Sequence, residues 1–366
     1  MSIVIVDWLG RGGIAQTSAA WAVELAARGR EVTVVTRRGR FGRDAAYRLV
    51  EAPTAKVHLL AHQRLARTAA RLITEARPSL VIVQNYVVPP LEFVVYRAAR
   101  RAGTKIVLVV HDHDLRSVAA GSNAGLGRLV ASADDVVVHS EFVRERLIGA
   151  TRREPLLLPL PVQVAMLKPP QAEVPEILRR AGLIALHFGV VRRGYKGFDT
   201  VAAIAREPLG SWQVAVIGNG APDTLPGALT VPGFMPDALL VASVRRSAAS
   251  LLPYTKATQS GAVALAQVLG SVPVVSAVGG LPEQVRDGIT GVLVPPGSGV
   301  ERWRDALRGL EDAGWRAEMA ANARDQRWRD HQRFKEAADA LMPSEPKTRR
   351  AMPAQQAPRP VDTWRG

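Results

Sequence analysis

Apolar residues along this chain fall in short dense runs, each cut off by glycine, proline or polar residues. Runs that are apolar throughout, rather than alternating, predict strands covered on both faces, as in parallel sheets. Such strands are predicted at Ser2–Asp7, Glu31–Thr36, Leu80–Gln84, Ile106–Val110 and Asp134–His139. After a break they resume at Ala185–Gly189, Val214–Ile217, Leu229–Pro232, Ala248–Pro253, Val272–Ser276 and Gly291–Val294. Helical spacing fills the gaps: about Ile14 to Arg28, 57–77, Leu91–Arg101, Glu141–Ile148, Phe198–Arg206, most of Phe234–Ser247, and the stretch up to Gly270. Strand and helix in strict alternation predict an α/β fold of two Rossmann-like, doubly wound parallel-sheet domains. Ligands are then expected in the crevice at the carboxyl ends of the strands.

The break is rich in proline. Pro155, Pro159, Pro161, Pro169 and Pro170 cannot continue a helix, and the first part of this segment can hold one short strand. The predicted organisation is a first domain over 1–165, a linker over 166–183 and a second domain over 184–325. Residues 300–341 read as largely helical, with Trp303, Trp315, Trp328 and Phe334 as anchors, and 326–342 as a helix packing back on the body. The Pro-, Gln- and Arg-rich tail 343–366 has too few apolar residues to build a core and is expected to be disordered.

The net charge of +15 changes the picture of the surface. The excess is spread, with +8 in residues 1–150 and +7 beyond, and no basic block marks a nucleic-acid arm. A basic surface suits anionic small molecules or acidic lipid headgroups. Arg64, Arg67 and Arg71 share one face of the 57–77 helix, with Leu65, Ala69 and Leu72 opposite, which fits a solvated face or contact with a membrane surface. The chain has no cysteine, so disulfides and thiolate metal sites are excluded and a cytoplasmic setting is expected. Neither a secretory signal nor an apolar run of membrane-spanning length is visible.

Candidate chemistry sits at the strand ends. Gly12 and Gly13 follow the first strand and open a helix, either as a tight turn or as a place where backbone approaches an anion. His111-Asp112-His113-Asp114 ends another strand, suited to a site or to a plain surface loop; no second cluster supplies the remaining ligands of a metal centre. Arg192, Arg193 and Lys196 stand in a strand-to-helix turn with two glycines, and Ser260-Gly261 opens a further helix. Cations with helix-start amides make a phosphate site. Gln259 and Gln267, with seven residues between them, are neutral and can hydrogen-bond sugar hydroxyls but not act as bases. Diphosphate plus polyol describes a nucleotide sugar.

The motifs GREVTVVT, VLVVHDHD, DDVVVHSEFVRERL, FGVVRRGYKGFDTV and VAVIGNG, and above all LPYTKATQSGAVALAQVLGSVPVVSAVGGLPEQVRDGITGVLVPPG, make the chain resemble the retaining GT-B glycosyltransferases of family 4, up to about residue 342. The resemblance implies two Rossmann-like domains facing across a cleft and a nucleotide-diphosphate sugar as donor, with no cofactor and no metal. It implies that Arg192 or Arg193, Lys196 and the Ser260-Gly261 amides stabilise the leaving diphosphate, that Gly12, Gly13 and Gly218 help to bind the donor, and that His111 contacts the transferred sugar. The expected acceptor is a glycan or lipid-linked molecule in envelope polysaccharide or glycolipid synthesis, met at the inner face of the cell membrane.

One departure stands out. The family usually has glutamate at both positions held here by Gln259 and Gln267. A neutral acceptor contributes about 0.5–1.5 kcal/mol per hydrogen bond against about 1.5–3 for a charged one, so donor binding is expected to weaken unless the amides suit this donor. A non-catalytic nucleotide-sugar-binding partner in a glycan assembly complex is the alternative reading. A GT-B epimerase or phosphorylase is a third, opposed by the 251–296 stretch.

Overall fold

The computed structural model describes residues 1–37, 44–85, 87–112, 122–162, 164–167 and 172–343. Two parallel sheets organise them. The first contains β1 (Ser2–Asp7), β2 (Glu31–Arg37), β3 (Arg48–Ala52), β4 (Leu80–Gln84), β5 (Lys105–Val110), β6 (Asp135–Val138) and β7 (Leu156–Leu157), in the order β3-β2-β1-β4-β5-β6-β7. The second contains β8 (Leu183–Val190), β9 (Trp212–Asn219), β10 (Ala228–Pro232), β11 (Ala249–Leu252), β12 (Val272–Ser276) and β13 (Val292–Val294), in the order β10-β9-β8-β11-β12-β13. Strand order reverses at β1/β4 and at β8/β11, which places a topological switch point at the carboxyl edge of each sheet.

Both faces of the first sheet are covered, which is why its strands are apolar throughout. Val4, Val6, Val81, Val83, Leu108 and Val110 pack under the helices His58–Ala76, Pro89–Ala102, Ser122–Ser132 and Glu141–Thr151. Ile3, Ile5, Val34, Ile82 and Val109 face the helix Gly12–Ala26 and, beside it, Phe334 of the C-terminal helix Ala313–Ala340. That helix therefore crosses from the second sheet to the first. Arg327 donates to the carbonyl of Leu160, and His331 Nε2 lies 3.0 Å from Glu24 Oε1. Of the four expected anchors, Trp303 and Phe334 are buried, but Trp315 and Trp328 are each 38% exposed. Trp328 meets His331 edge-on on the outer side of its helix, and Trp315 lies over Gly309 at the helix start.

Several element limits differ from the expected ones for local reasons. The first helix begins at Gly12 itself, and the third at Pro89, a favoured first-turn position because proline lacks only a donor that has no partner there. Phe234 is exposed and the helix following it begins at Asp237. The stretch 300–341 is two helices, Val300–Gly309 and Ala313–Ala340. Strand β3 and the helix Ser122–Ser132 carry no strong periodic signal. The basic helix stands as expected: Arg64, Arg67 and Arg71 are exposed, and Leu65 and Ala69 are buried. The tail 344–366, expected to be disordered, lies outside the described residues, as do His113 and Asp114. No helix among the described residues is long and apolar enough to cross a membrane.

Candidate active site

The first half of the site grows from the ends of β1, β4 and β5. Asp7 Oδ1 accepts the amides of Leu9 (2.9 Å) and Gly10 (3.0 Å), which folds the loop that delivers Gly12 and Gly13 to a helix start. Among the described residues, a side chain placed at either Gly12 or Gly13 would meet nothing within 4 Å. His111 follows β5 and is buried. Its Nε2–H donates to Gln84 Oε1 at 2.8 Å, which leaves Nδ1 as the lone-pair nitrogen. Burial, reinforced by the neighbouring His139, holds His111 well below the ordinary imidazole range, so the ring is neutral at pH 7.

The second half grows from β8 and β11. The loop after β8 carries Arg192 and Arg193, both exposed, then a single 3-10 turn, Gly194–Lys196. Arg193 lies 3.6 Å from Asp199, and Lys196 Nζ lies 4.1 Å over the ring of buried Tyr254, in the loop after β11. The amide of Thr255 donates to the carbonyl of Tyr195 at 3.0 Å, so the two loops form one wall. Gly218, at the end of β9, serves backbone packing: a Cβ there would stand 2.0 Å from the carbonyl oxygen of Gly189.

Ser260 caps the helix Gly261–Leu269, its hydroxyl accepting from Val263 N–H at 3.3 Å. Its own amide donates to Gln284 Oε1 at 2.7 Å. Among the described residues this leaves the Gly261 and Ala262 amides as the free donors of that helix start. Gln267 is buried and donates through Nε2 to the carbonyl of Gln284 at 2.7 Å.

The two halves touch. The carbonyl oxygen of His111 accepts from both Thr258 Oγ1 and Gln259 Nε2, each at 2.9 Å, and Gln259 Nε2 also stands 3.5 Å from His111 Nδ1. A glutamate at 259 has no proton to donate to that carbonyl. The same holds at 267, facing the carbonyl of Gln284. Both departures from the usual family residues therefore use the amide group that a carboxylate lacks. Beside this contact, Glu283 spans the domains: its carboxylate accepts the amides of Glu141 (2.6 Å) and Phe142 (2.8 Å) at the start of the helix Glu141–Thr151. Gly280 lets the domains approach, since a Cβ there would lie 2.9 Å from Ser140 Cβ.

The structure thus joins His111 to Gln259 across the cleft and sets Lys196 against the Tyr254 loop. The sequence reading missed Gln84, Thr258, Glu283 and Gln284. Their only signal is a polar residue in or just after an otherwise apolar strand, or next to a glycine pair. Among the described residues, no three His, Asp or Glu side chains gather as metal ligands.

Residues 12–162 match the family model of the glycosyl transferase 4-like domain, and residues 183–312 that of the glycosyl transferases group 1. The D-inositol 3-phosphate glycosyltransferase of Actinosynnema mirum is 32% identical over 229 residues, 54% of this chain and 54% of that protein. The protein of the same name from Mycobacterium avium is 51% identical over 65 residues, 17% of this chain and 15% of its own. The chain thus spans about half the length of the first of these relatives. Among solved structures, Anabaena Alr3699/HepE in complex with UDP-glucose superposes with a TM-score of 0.68 at 16% identity, over 93% of this chain and 100% of that one. Sucrose-phosphate synthase from Thermosynechococcus elongatus gives 0.72 at 17% identity, over 93% and 97%. WaaG, a glycosyltransferase involved in lipopolysaccharide biosynthesis, gives 0.66 at 16% identity, over 94% and 100%. At such identity these likenesses speak for the fold alone, the GT-B arrangement of two α/β domains.

Proposed function

We propose that this chain, which belongs to the group 1 glycosyltransferases with a 4-like N-terminal half, moves a sugar from a nucleotide-diphosphate donor to an acceptor hydroxyl with retention at the anomeric carbon. The observation that carries the reading is the clasp of Gln259 and Thr258 on the His111 carbonyl, which brings the first sheet's site residue onto the helix start of the second. The donor lies on the second domain. Arg192, Arg193 and Lys196, with the open amides of Gly261 and Ala262, take up charge as the diphosphate leaves; cations placed where charge develops lower the barrier. No metal is needed for that task. The acceptor hydroxyl comes from the first domain and attacks on the face the diphosphate leaves. Closure around the clasp keeps water from the donor and suppresses hydrolysis.

Two observations bear on the substrates. HepE in complex with UDP-glucose makes a uridine diphosphate sugar the first donor to try. The relatives named D-inositol 3-phosphate glycosyltransferase point to a hydroxyl on an anionic acceptor, which suits the +15 charge. A lipid-linked acceptor of envelope glycan or glycolipid synthesis fits one further feature: Val57, Leu59 and Leu60 are about half exposed at the start of the helix that carries Arg64, Arg67 and Arg71. Co-sedimentation with anionic liposomes at low salt, lost on replacing those three arginines by glutamine, is the expected result; no binding by the unaltered protein refutes the membrane part.

Thermal-shift screening of nucleotide sugars, followed by assay of nucleoside diphosphate release with candidate acceptors, tests the whole reading. Stabilisation by a nucleotide sugar and acceptor-dependent release are expected. Stabilisation without release by any acceptor would favour the binding-partner reading; no stabilisation by any nucleotide sugar would refute both.

A further inference from the structure

The four-residue helix Leu281–Gln284 touches both sides of the site. The glycine pair before it lies directly on the loop after β11. A Cβ at Gly279 would stand 1.7 Å from the carbonyl oxygen of Ala257, and one at Gly280 2.1 Å from that of Thr258. This close approach brings Gln284 to the start of the helix Gly261–Leu269, where its side chain meets Ser260 twice. Oε1 accepts the Ser260 amide at 2.7 Å, and Nε2 donates to the Ser260 carbonyl at 3.3 Å. The carbonyl of Gln284 is held in turn by Gln267, two turns along the same helix, at 2.7 Å, and by Gln326 of the C-terminal helix at 3.2 Å. Ser260, Gln267 and Gln284 are all buried. One residue before Gln284, the Glu283 carboxylate accepts the amides of Glu141 and Phe142 in the first domain.

The carbonyl of Ser260 and the N–H of Gly261 belong to one planar peptide and point in opposite directions. Holding that carbonyl therefore aims the Gly261 amide, one of the open donors at this helix start. Gln284 also holds the peptide before Ser260, so the backbone is fixed on both sides of the cap. An apolar side chain of the same length would fill the space but leave the buried Ser260 amide unsatisfied.

We infer that Gln284 is a positioning residue that aims the Gly261 amide at the diphosphate, and that the short helix passes the contact of Glu283 with the first domain on to that amide. The diphosphate rests on the sugar-transfer reading. The contact of the domains and the grip on the leaving group are then set by one element, through two neighbouring residues.

The test uses the full chain. Calorimetry with UDP, ADP and GDP selects the diphosphate that binds most tightly, and this compound and its nucleoside are then titrated into the variants. Gln284→Met keeps the length of the side chain and removes both hydrogen bonds to Ser260. It is expected to weaken diphosphate binding by about tenfold and to leave nucleoside binding unchanged. A merely structural role weakens both alike. Glu283→Ala is expected to weaken diphosphate binding about threefold in the unaltered background and to add nothing in Gln284→Met, because the link is already broken there. Diphosphate binding by Gln284→Met equal to that of the unaltered protein, or parallel losses of diphosphate and nucleoside, would overturn the positioning role. Additive effects of the two substitutions would overturn the link to the first domain. Should Gln284→Met fail to fold, amide resonances of the unaltered protein decide. Those of Gly261 and of the Gln284 side chain shift together on adding the diphosphate, and not the nucleoside, if the role exists; a Gln284 signal that stays still overturns it. If none of the three diphosphates binds the unaltered protein, the sugar-transfer reading fails and the positioning role falls with it, an outcome distinct from binding that Gln284→Met leaves untouched.

Discussion

Glu92 caps its own helix from inside the protein, and its replacement by glutamine isolates one buried charge. Glu92 is fully buried; Oε1 accepts the amides of Val87 (2.5 Å) and Val88 (3.0 Å), while Oε2 has no partner among the described residues. Burial is the largest influence and pushes its pKa up to about 7 from 4.5, against the two amides that favour the charged form. Because the folded pKa is raised, the contribution to stability is fully present below pH 4.5 and is lost as pH rises through about 7. Linkage over that shift gives a loss of about 2.5 kcal/mol between pH 5 and 8. Glu92→Gln retains the oxygen that holds Val87 and Val88 but cannot ionise. Urea unfolding of both proteins at pH 5 and 8 therefore yields a stability difference that moves in favour of the variant by about 2.5 kcal/mol, with all shared titrations cancelled. A difference that stays constant across that range would refute the reasoning. The perturbation matters to the site because the two capped amides belong to the loop that leaves β4 just after Gln84.

The remaining predictions concern closure and acid. Glu283→Ala removes two hydrogen bonds from the start of the helix Glu141–Thr151; losing about 1 kcal/mol there raises the open population about fivefold, to be read as a larger radius of gyration in X-ray scattering. An unchanged radius would contradict the role of Glu283 in holding the two domains together. Burial lowers the pKa of His139 to about 4, so its contribution is present above the ordinary value of 6.5 and is lost as pH falls towards 4. His139→Asn, which can keep the hydrogen bond to the Leu158 carbonyl, should escape a loss of about 2 kcal/mol between pH 7 and 5, measured by urea unfolding. Parallel pH dependence of variant and unaltered protein would refute it.

Much of this arrangement was legible in the residues. Unbroken apolar strands announced parallel sheets, and Ser260 marked a helix start that its hydroxyl caps in the structure. Strand β3 escaped because Arg48-Leu49-Val50-Glu51-Ala52 is short and half polar, an edge strand with little burial to enforce a pattern. The helix Ser122–Ser132 escaped because its glycines argue against a helix; Gly125 is there for space, as a Cβ would lie 2.7 Å from Pro89. The contacts across the cleft were beyond reach for a different reason. That Glu283 would cap a helix 140 residues away, or that Gln259 would spend its amide on the His111 carbonyl, depends on how two separately folded sheets meet. Sequence showed that Gln259 and Gln267 are neutral; only the structure shows that each uses the proton a glutamate would lack.

The central claim is that the second domain holds the donor diphosphate on the turn Arg192–Lys196 and the helix start at Gly261. Turnover of the best-binding nucleotide sugar by Lys196→Ala tests it most directly, with the melting temperature as a check on folding. Removing one group that stabilises developing charge typically costs about a hundredfold or more, and a fall in kcat/KM of at least that size with an intact fold is the predicted result. Turnover close to that of the unaltered protein would contradict it.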